Sequence, residues 1–376
     1  MFTSRIFRCA VIGAAFLAVQ AGIAQVAVLP KTMVWTSYDV GSAGYLETSA
    51  FAEALDKGYG TKVRIIPSDT STGRLLPLQT GRATLGFMGN ETYFAAEAMF
   101  EFAGREWGPQ NLRVLLGRLS SVGLVTGENT EVNSPYDLKA TKIGYVEAGI
   151  STTLNTETIL AFGGLTSNDV KKIEYPSYDA MAKGFIAGEV DVVPATPTSA
   201  FLNEAKNGRG IRWISMPASD SEGWDRVAAH ASSFKHSRVT TGVNISKNNP
   251  VDLLGYRYSQ LTVQADADEE DVYNMVKAIH KSLKVYESTN NGMGNWAITA
   301  AGTAPAGAPF HPGAVRYLKE AGVWTNADEL WNRARVDRVA AVQKAWFAAV
   351  AMADAQGVSS KDWPQYWANF RANNLD

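Results

Sequence analysis

Arg74 closes the run Ser68-Asp69-Thr70-Ser71-Thr72-Gly73 and stands directly before the apolar stretch Leu75-Leu76-Pro77-Leu78. A guanidinium presents a planar fork that pairs bidentately with a carboxylate. Hydroxyls, a glycine and the free amides of a helix start supply further donors, so the run has the chemistry of a seat for a small anion. The same residues serve equally well as a helix cap followed by a solvated surface charge. This stretch by itself admits both readings.

Other chemistry is thinner. Asp39, Asp69, Glu91 and Glu147 follow predicted strands and could act as an acid and base pair or simply accept loop hydrogen bonds. Asp39 or Glu91 could also hold a ligand ammonium. The histidines His230, His236, His280 and His311 show no metal-ligand spacing, and His311, between Phe310 and Pro312, suits a turn. There is no nucleophile elbow and no phosphate loop of the GxxxxGK[ST] type. Gly292-Met293-Gly294-Asn295-Trp296-Ala297 imitates a dinucleotide fingerprint but follows a polar turn instead of a strand. Neither a metal nor a cofactor is expected.

These residues need elements to position them. Residues 32–36 read as a strand, and 46–55 as a helix with Leu46, Ala50, Phe51, Ala54 and Leu55 at helical spacing. Residues 63–66 and 84–88 are the next strands, and 91–102 reads as a helix. One or two strands over 113–125 lead out of a first lobe. From Ser134 the alternation repeats: strands at 142–146, 171–175, 190–193 and 211–216, helices at 153–162, 178–187 and 199–206. The strand 256–263 returns to the first lobe, a capped helix covers 266–288, and the chain from Asp328 is helical and carries Trp331, Trp346, Trp363 and Trp367. Tryptophans so spaced belong to a core or a docking face.

Alternating strands and helices predict an α/β fold of two doubly wound lobes with a C-terminal helical extension. The expected divisions are lobe I at 31–133 and 251–327, lobe II at 134–250, and the extension at 328–376. Ligands of such sheets bind beyond the carboxyl ends of the strands. Small polar loops after Thr36, Ile66, Met88, Val146 and Val193 lie there, which places Asn90, Glu91 and Thr196 on a cleft between the lobes. Hinge closure is expected about segments near 125–133 and 249–258.

Bulk properties narrow the class. The 376 residues are 46% hydrophobic and 19% charged, ordinary for a globular protein, and the formal charge of −2 gives no footprint for nucleic acid. Arg5 and Arg8, the apolar run 10–19 and the ending Gly22-Ile23-Ala24 form a signal-peptide pattern over residues 1–24. Its removal leaves 33 basic against 37 acidic residues and takes away Cys9, the only cysteine. The expected product is a periplasmic protein with no disulfide or thiol nucleophile.

Four stretches resemble the TAXI family of TRAP-transporter solute-binding proteins: Gly41-Ser42-Ala43-Gly44-Tyr45, the run 70–87, the run 134–153 (SPYDLKATKIGYVEAGISTT) and the run 309–322 (PFHPGAVRYLKEAG). The resemblance spans about residues 34–323. It implies a type II periplasmic-binding-protein fold, a small organic anion (a carboxylate or amino acid) as ligand, and a TRAP-type membrane permease as partner. By position it implies that Tyr38, Gly41, Ser42, Gly44 and Tyr45 form one binding loop, Thr70, Ser71, Thr72 and Gly73 a second, and Ser151, Thr152 and Thr153 the hydroxyl loop of the other lobe. The first loop lacks the family's Gly-Gly-Thr-Tyr-Tyr-Pro run, and the tryptophan-rich tail is additional. A secreted α/β hydrolase using Asp69 or Glu91, and a periplasmic sensor or scaffold docking through the tail, remain alternatives.

Overall fold

The computed structural model describes residues 27–375 apart from Ala148, Ser232 and Asn291; the expected signal peptide lies outside the described residues. The first lobe opens with β1 (Thr32–Ser37), α1 (Ala43–Tyr59), β2 (Lys62–Pro67), α2 (Ser71–Gln79), β3 (Leu85–Met88), α3 (Glu91–Ala96) and β4 (Leu112–Gly127). Met33 and Trp35 of β1 point into a core also built from Phe51 and Leu55 of α1 and Phe87 of β3. α1 stops at Gly60, whose φ of 67° sets the left-handed C-cap that side chains with a Cβ resist.

The second lobe follows with β5 (Lys142–Val146), α4 (Ile150–Phe162), β6 (Lys171–Tyr175), α5 (Tyr178–Ala187), β7 (Val192–Ala195), α6 (Phe201–Gly208), β8 (Ile211–Trp213), α7 (Ser221–His230) and β9 (Lys235–Val239). The chain then returns through β10 (Val251–Gln264) to α8 (Glu269–Lys281), α9 (Leu283–Tyr286), α10 (Ile298–Ala301), α11 (Pro312–Glu320), α12 (Asn326–Ala355) and α13 (Trp363–Asn374). Asp268 caps α8 by accepting from the amides of Glu270 and Asp271, and His311 caps α11 through the amide of Gly313.

Strand order runs β2-β1-β3-β10-β4-β7-β5-β6, with β8 on β4 and β9 on β10. β1 pairs parallel with β2 and β3, and β5 pairs parallel with β6 and β7. The long antiparallel pair β4 and β10 belongs to both lobes. Residues 112–117 of β4 face 260–264 in the first sheet, whereas Gly123–Thr126 pair with β7 in the second. The chain crosses between lobes inside these two strands, around Leu119–Val122 and Leu254–Arg257. The fold is therefore two doubly wound α/β lobes joined by crossing strands, the type II periplasmic-binding-protein arrangement, with a helical extension.

One difference from sequence expectation has a clear cause. The helix expected over 91–102 ends at Ala96, and a 3-10 turn follows at Phe100–Ala103. Ala98 and Phe100 adopt positive φ there (50° and 53°), and the indole of Trp367 donates to the Ala98 carbonyl at 2.8 Å. The tail thus reads out the break that it stabilises. Trp363 donates to Ala103 O, and Trp346, Trp363 and Trp367 are buried against one another and the first lobe. These three tryptophans form a core with lobe I and are not an exposed docking face.

Candidate functional site

Loops at the carboxyl ends of the strands build the site. After β1, Ser42 caps α1, accepting from the Tyr45 amide at 3.1 Å and donating to Asp39 O at 2.7 Å. After β2, Thr70 caps α2 through the Gly73 amide at 3.0 Å, so Ser71, Thr72 and Gly73 form the first helical turn. Arg74 follows on that turn and is directed inward, 2% exposed. Tyr38 lies where two glycines leave space: a Cβ on Gly44 would stand 2.7 Å from its ring, and one on Gly89 2.5 Å from its hydroxyl.

Glu91, at the start of α3, gathers these groups. Arg74 Nε donates to Glu91 Oε1 at 2.9 Å and Nη2 lies 2.9 Å from the same oxygen. Nη1 donates to the Ser68 carbonyl at 2.8 Å, and the guanidinium rests 3.9 Å from the centre of the Tyr38 ring. Tyr38 Oη donates to Glu91 at 2.7 Å, and Ser151 Oγ, from the other lobe, donates to Oε2 at 2.9 Å. Burial alone would raise the Glu91 pKa, but the charge of Arg74 and the Tyr38 hydroxyl outweigh it and hold the carboxyl below its ordinary value. Burial likewise opposes the charge on Arg74, yet Glu91 holds its pKa above the ordinary value. Tyr38 is pushed well above 10 by burial and then by Glu91, so it stays a neutral donor. Each Arg74 Nη retains an N–H not committed to these described partners.

The second lobe closes over this cluster. Asn90 Nδ2 donates to Asn155 Oδ1 at 3.2 Å, and the Ala200 amide approaches the Gly41 carbonyl at 3.4 Å. α4 starts at Gly149 with no side-chain cap among the described residues, so the first-turn amides of a 13-residue helix remain available. Gly149, Ser151 and Thr152 of that start border a cavity of about 60 Å³ that Arg74 borders from the opposite lobe. Tyr178, Ser199 and Thr196 form a hydroxyl chain on another wall, with both links 3.1 Å. Burial pushes the Tyr178 phenol up to about 12. Tyr256 and Tyr258 of the crossing strand stack at 5.6 Å, and Tyr38 meets Tyr258 edge-on at 4.9 Å.

Of the residues expected at the site, Tyr38, Ser42, Arg74, Ser151, Thr152 and Thr196 line the cavity, and so do Asp39 and Asp69. Asn90 and Glu91 stand behind that wall and bind the second lobe. Gly41, Gly44, Tyr45, Thr70, Ser71, Thr72, Gly73 and Thr153 do not line it; Gly44 and Gly73 pack behind it and Thr70 caps α2. Sequence reasoning missed Asn155, Tyr178, Ser199, Tyr256 and Tyr258. The alternation Tyr256-Arg257-Tyr258 was a usable signal, because alternate strand residues share a face.

A two-lobed α/β fold with a small, partly open cavity between the lobes is an architecture suited to binding a small molecule. The chain belongs to the NMT1-like family, whose model matches residues 41–322. Among solved structures, it is similar to the periplasmic aliphatic sulphonate binding protein SsuA from Escherichia coli, at 16% identity and a TM-score of 0.44, covering 69% of this chain and 74% of that one. SsuA from Xanthomonas axonopodis pv. citri, solved with MOPS, shares 15% identity over 81% of this chain and 96% of its own, at a TM-score of 0.44. PhnD1 from Prochlorococcus marinus, solved with methylphosphonate, shares 15% identity over 70% and 92%, at a TM-score of 0.45.

Proposed function

We propose that this protein is a periplasmic solute-binding receptor that closes on a small organic anion and delivers it to a membrane permease of the TRAP type. The observation that carries the reading is the placement of Arg74 from lobe I and the uncapped start of α4 from lobe II on one cavity between the lobes. A carboxylate there would take the remaining Nη donors of Arg74 on one side and first-turn amides of α4 on the other. Val122, Val146, Pro194 and the tyrosine rings would receive its apolar part. About 60 Å³ accommodates only a few water-sized groups, which favours a short monocarboxylate or a small amino acid. An amino acid's ammonium has Asp39 and Asp69 on the same wall. Membership of the NMT1-like family and the four TAXI-like stretches support transport over chemistry. Glu91 points the same way: its lowered pKa is opposite to what a general acid requires.

A thermal-shift screen of mono- and dicarboxylates, amino acids and neutral sugars tests this. A ligand at about a hundred times its Kd adds roughly 2.7 kcal/mol of stability. Short carboxylates or amino acids should raise the Tm; a response to neutral sugars alone would overturn the anion reading. Co-purification with a TRAP-type permease from native membranes tests the partner.

A further inference from the structure

Tyr258, on the crossing strand β10, borders the cavity between the lobes with its polar end unused. The residue is 7% exposed, and its hydroxyl has no hydrogen-bond partner among the described residues. Neighbouring phenols on the same wall are served. Tyr38 donates to Glu91, Tyr178 shares a 3.1 Å bond with Ser199, and Tyr256 has the Asn155 side chain. Nor is the Tyr258 hydroxyl one of the polar atoms sealed away from solvent, so it keeps surface that a ligand can reach.

The surroundings define what that hydroxyl can take. It lies over the first turn of α1, where a Cβ on Gly44 would stand 3.0 Å from it. The amides of Ala43 and Gly44 on that turn have no partner among the described residues, because Ser42 takes those of Tyr45 and Leu46. Burial, and then the charge of Glu47, raise the Tyr258 pKa, so the phenol keeps a proton to donate. Unused donors in this corner call for an acceptor. Asp39 and Asp69 border the same cavity, so a second carboxylate there would meet like charge, whereas a neutral oxygen would not. Tyr38 stands between this corner and the anion seat, its ring centre 4.9 Å from that of Tyr258 and 3.9 Å from Arg74 Cζ.

We propose that Tyr258 is a specificity-determining residue of this cavity, donating to a neutral hydroxyl or carbonyl oxygen of a solute whose carboxylate lies toward Arg74 and α4. The assignment rests on the anion reading given above and narrows it. The preferred solute is a short acid or amino acid with one further uncharged oxygen, over its unsubstituted and dicarboxylic analogues. A ligand without that oxygen leaves the phenol unpaired in a cavity from which it has displaced water, and this loss is the source of discrimination.

Calorimetric titration of the intact protein with two matched pairs, propionate with lactate and alanine with serine, tests the assignment. Within whichever pair binds, the hydroxylated member should bind about tenfold more tightly. Malonate should bind more weakly than that member. Tyr258→Phe keeps the ring that packs on Tyr38 and Tyr256 and should bring the ratio within the pair below about threefold. A ratio near one in the intact protein overturns the assignment, whether or not the variant folds. So does a tenfold ratio that survives Tyr258→Phe; both results leave the anion reading standing. Malonate binding as tightly as the hydroxylated member overturns the requirement for a neutral oxygen. Absence of binding by all five solutes overturns the anion reading and this assignment together.

Discussion

Glu91 and Glu97 lie six positions apart, both are nearly fully buried, and both have pKa values below the ordinary carboxylate value, yet they are held in opposite ways. Glu97 is caged by three guanidinium groups from the helical extension: Arg335, Arg338 at 2.9 Å and Arg371 at 3.0 Å. Glu91 has one arginine from its own lobe and takes Ser151 from the other. A charged cage fixes a joint permanently, because releasing any arm strands charge in a buried place. A single neutral hydroxyl can leave at the cost of one hydrogen bond, which makes it the more easily broken of the two contacts. The extension is therefore fastened to lobe I by buried charge, whereas α4 meets Glu91 through a neutral hydroxyl.

Removing Glu97 should have the largest effect. Glu97→Ala leaves three arginines facing one another and should cost about 3–5 kcal/mol in urea unfolding, with protease release of residues 326–376. An unchanged midpoint would mean that the tryptophans hold the tail without the cage. Arg74→Ala should cost somewhat less, about 3 kcal/mol, because Glu91 keeps the Tyr38 and Ser151 hydroxyls. It should also erase the carboxylate-induced Tm shift; a retained shift would move the anion seat away from Arg74.

Acid should act on both glutamates. Each binds its proton less readily folded than unfolded, so their stabilisation is present above the unfolded value near 4.5 and is lost as pH falls through the depressed folded values. Tm should therefore drop between about pH 5 and pH 3, and Glu97→Gln should flatten part of that drop. A Tm that rises on acidification would contradict the assignment. The smallest effect belongs to Ser151→Ala, about 1 kcal/mol, felt mainly as a shift toward the open form. Small-angle scattering should show a larger radius of gyration without ligand; an unchanged radius would remove Ser151 from the closure contact.

Much of this was legible in the chain itself. Alternating buried strands and amphipathic helices define two doubly wound lobes because periodicities of two and 3.6 are local properties. Small polar loops at strand ends located the cleft, and the run ending at Arg74 marked its wall. Helix starts were less legible: Ser71 and Ile150 begin helices inside stretches that read as loops, since hydroxyls serve both caps and turns.

The sequence by itself determined which residues carry charge and which loops carry hydroxyls, but not their partners. Arg74 and Glu91 stand 17 positions apart on different helices, and they meet only because β1 lies between β2 and β3. Glu97 finds arginines more than 230 positions away, and Ser151 reaches Glu91 only across closed lobes. An arginine on a helix's first turn is a solvated charge or a buried cation depending on what packs over it. Burial is a property of the assembled fold, so tertiary structure alone decided that Arg74 enters the cleft already paired.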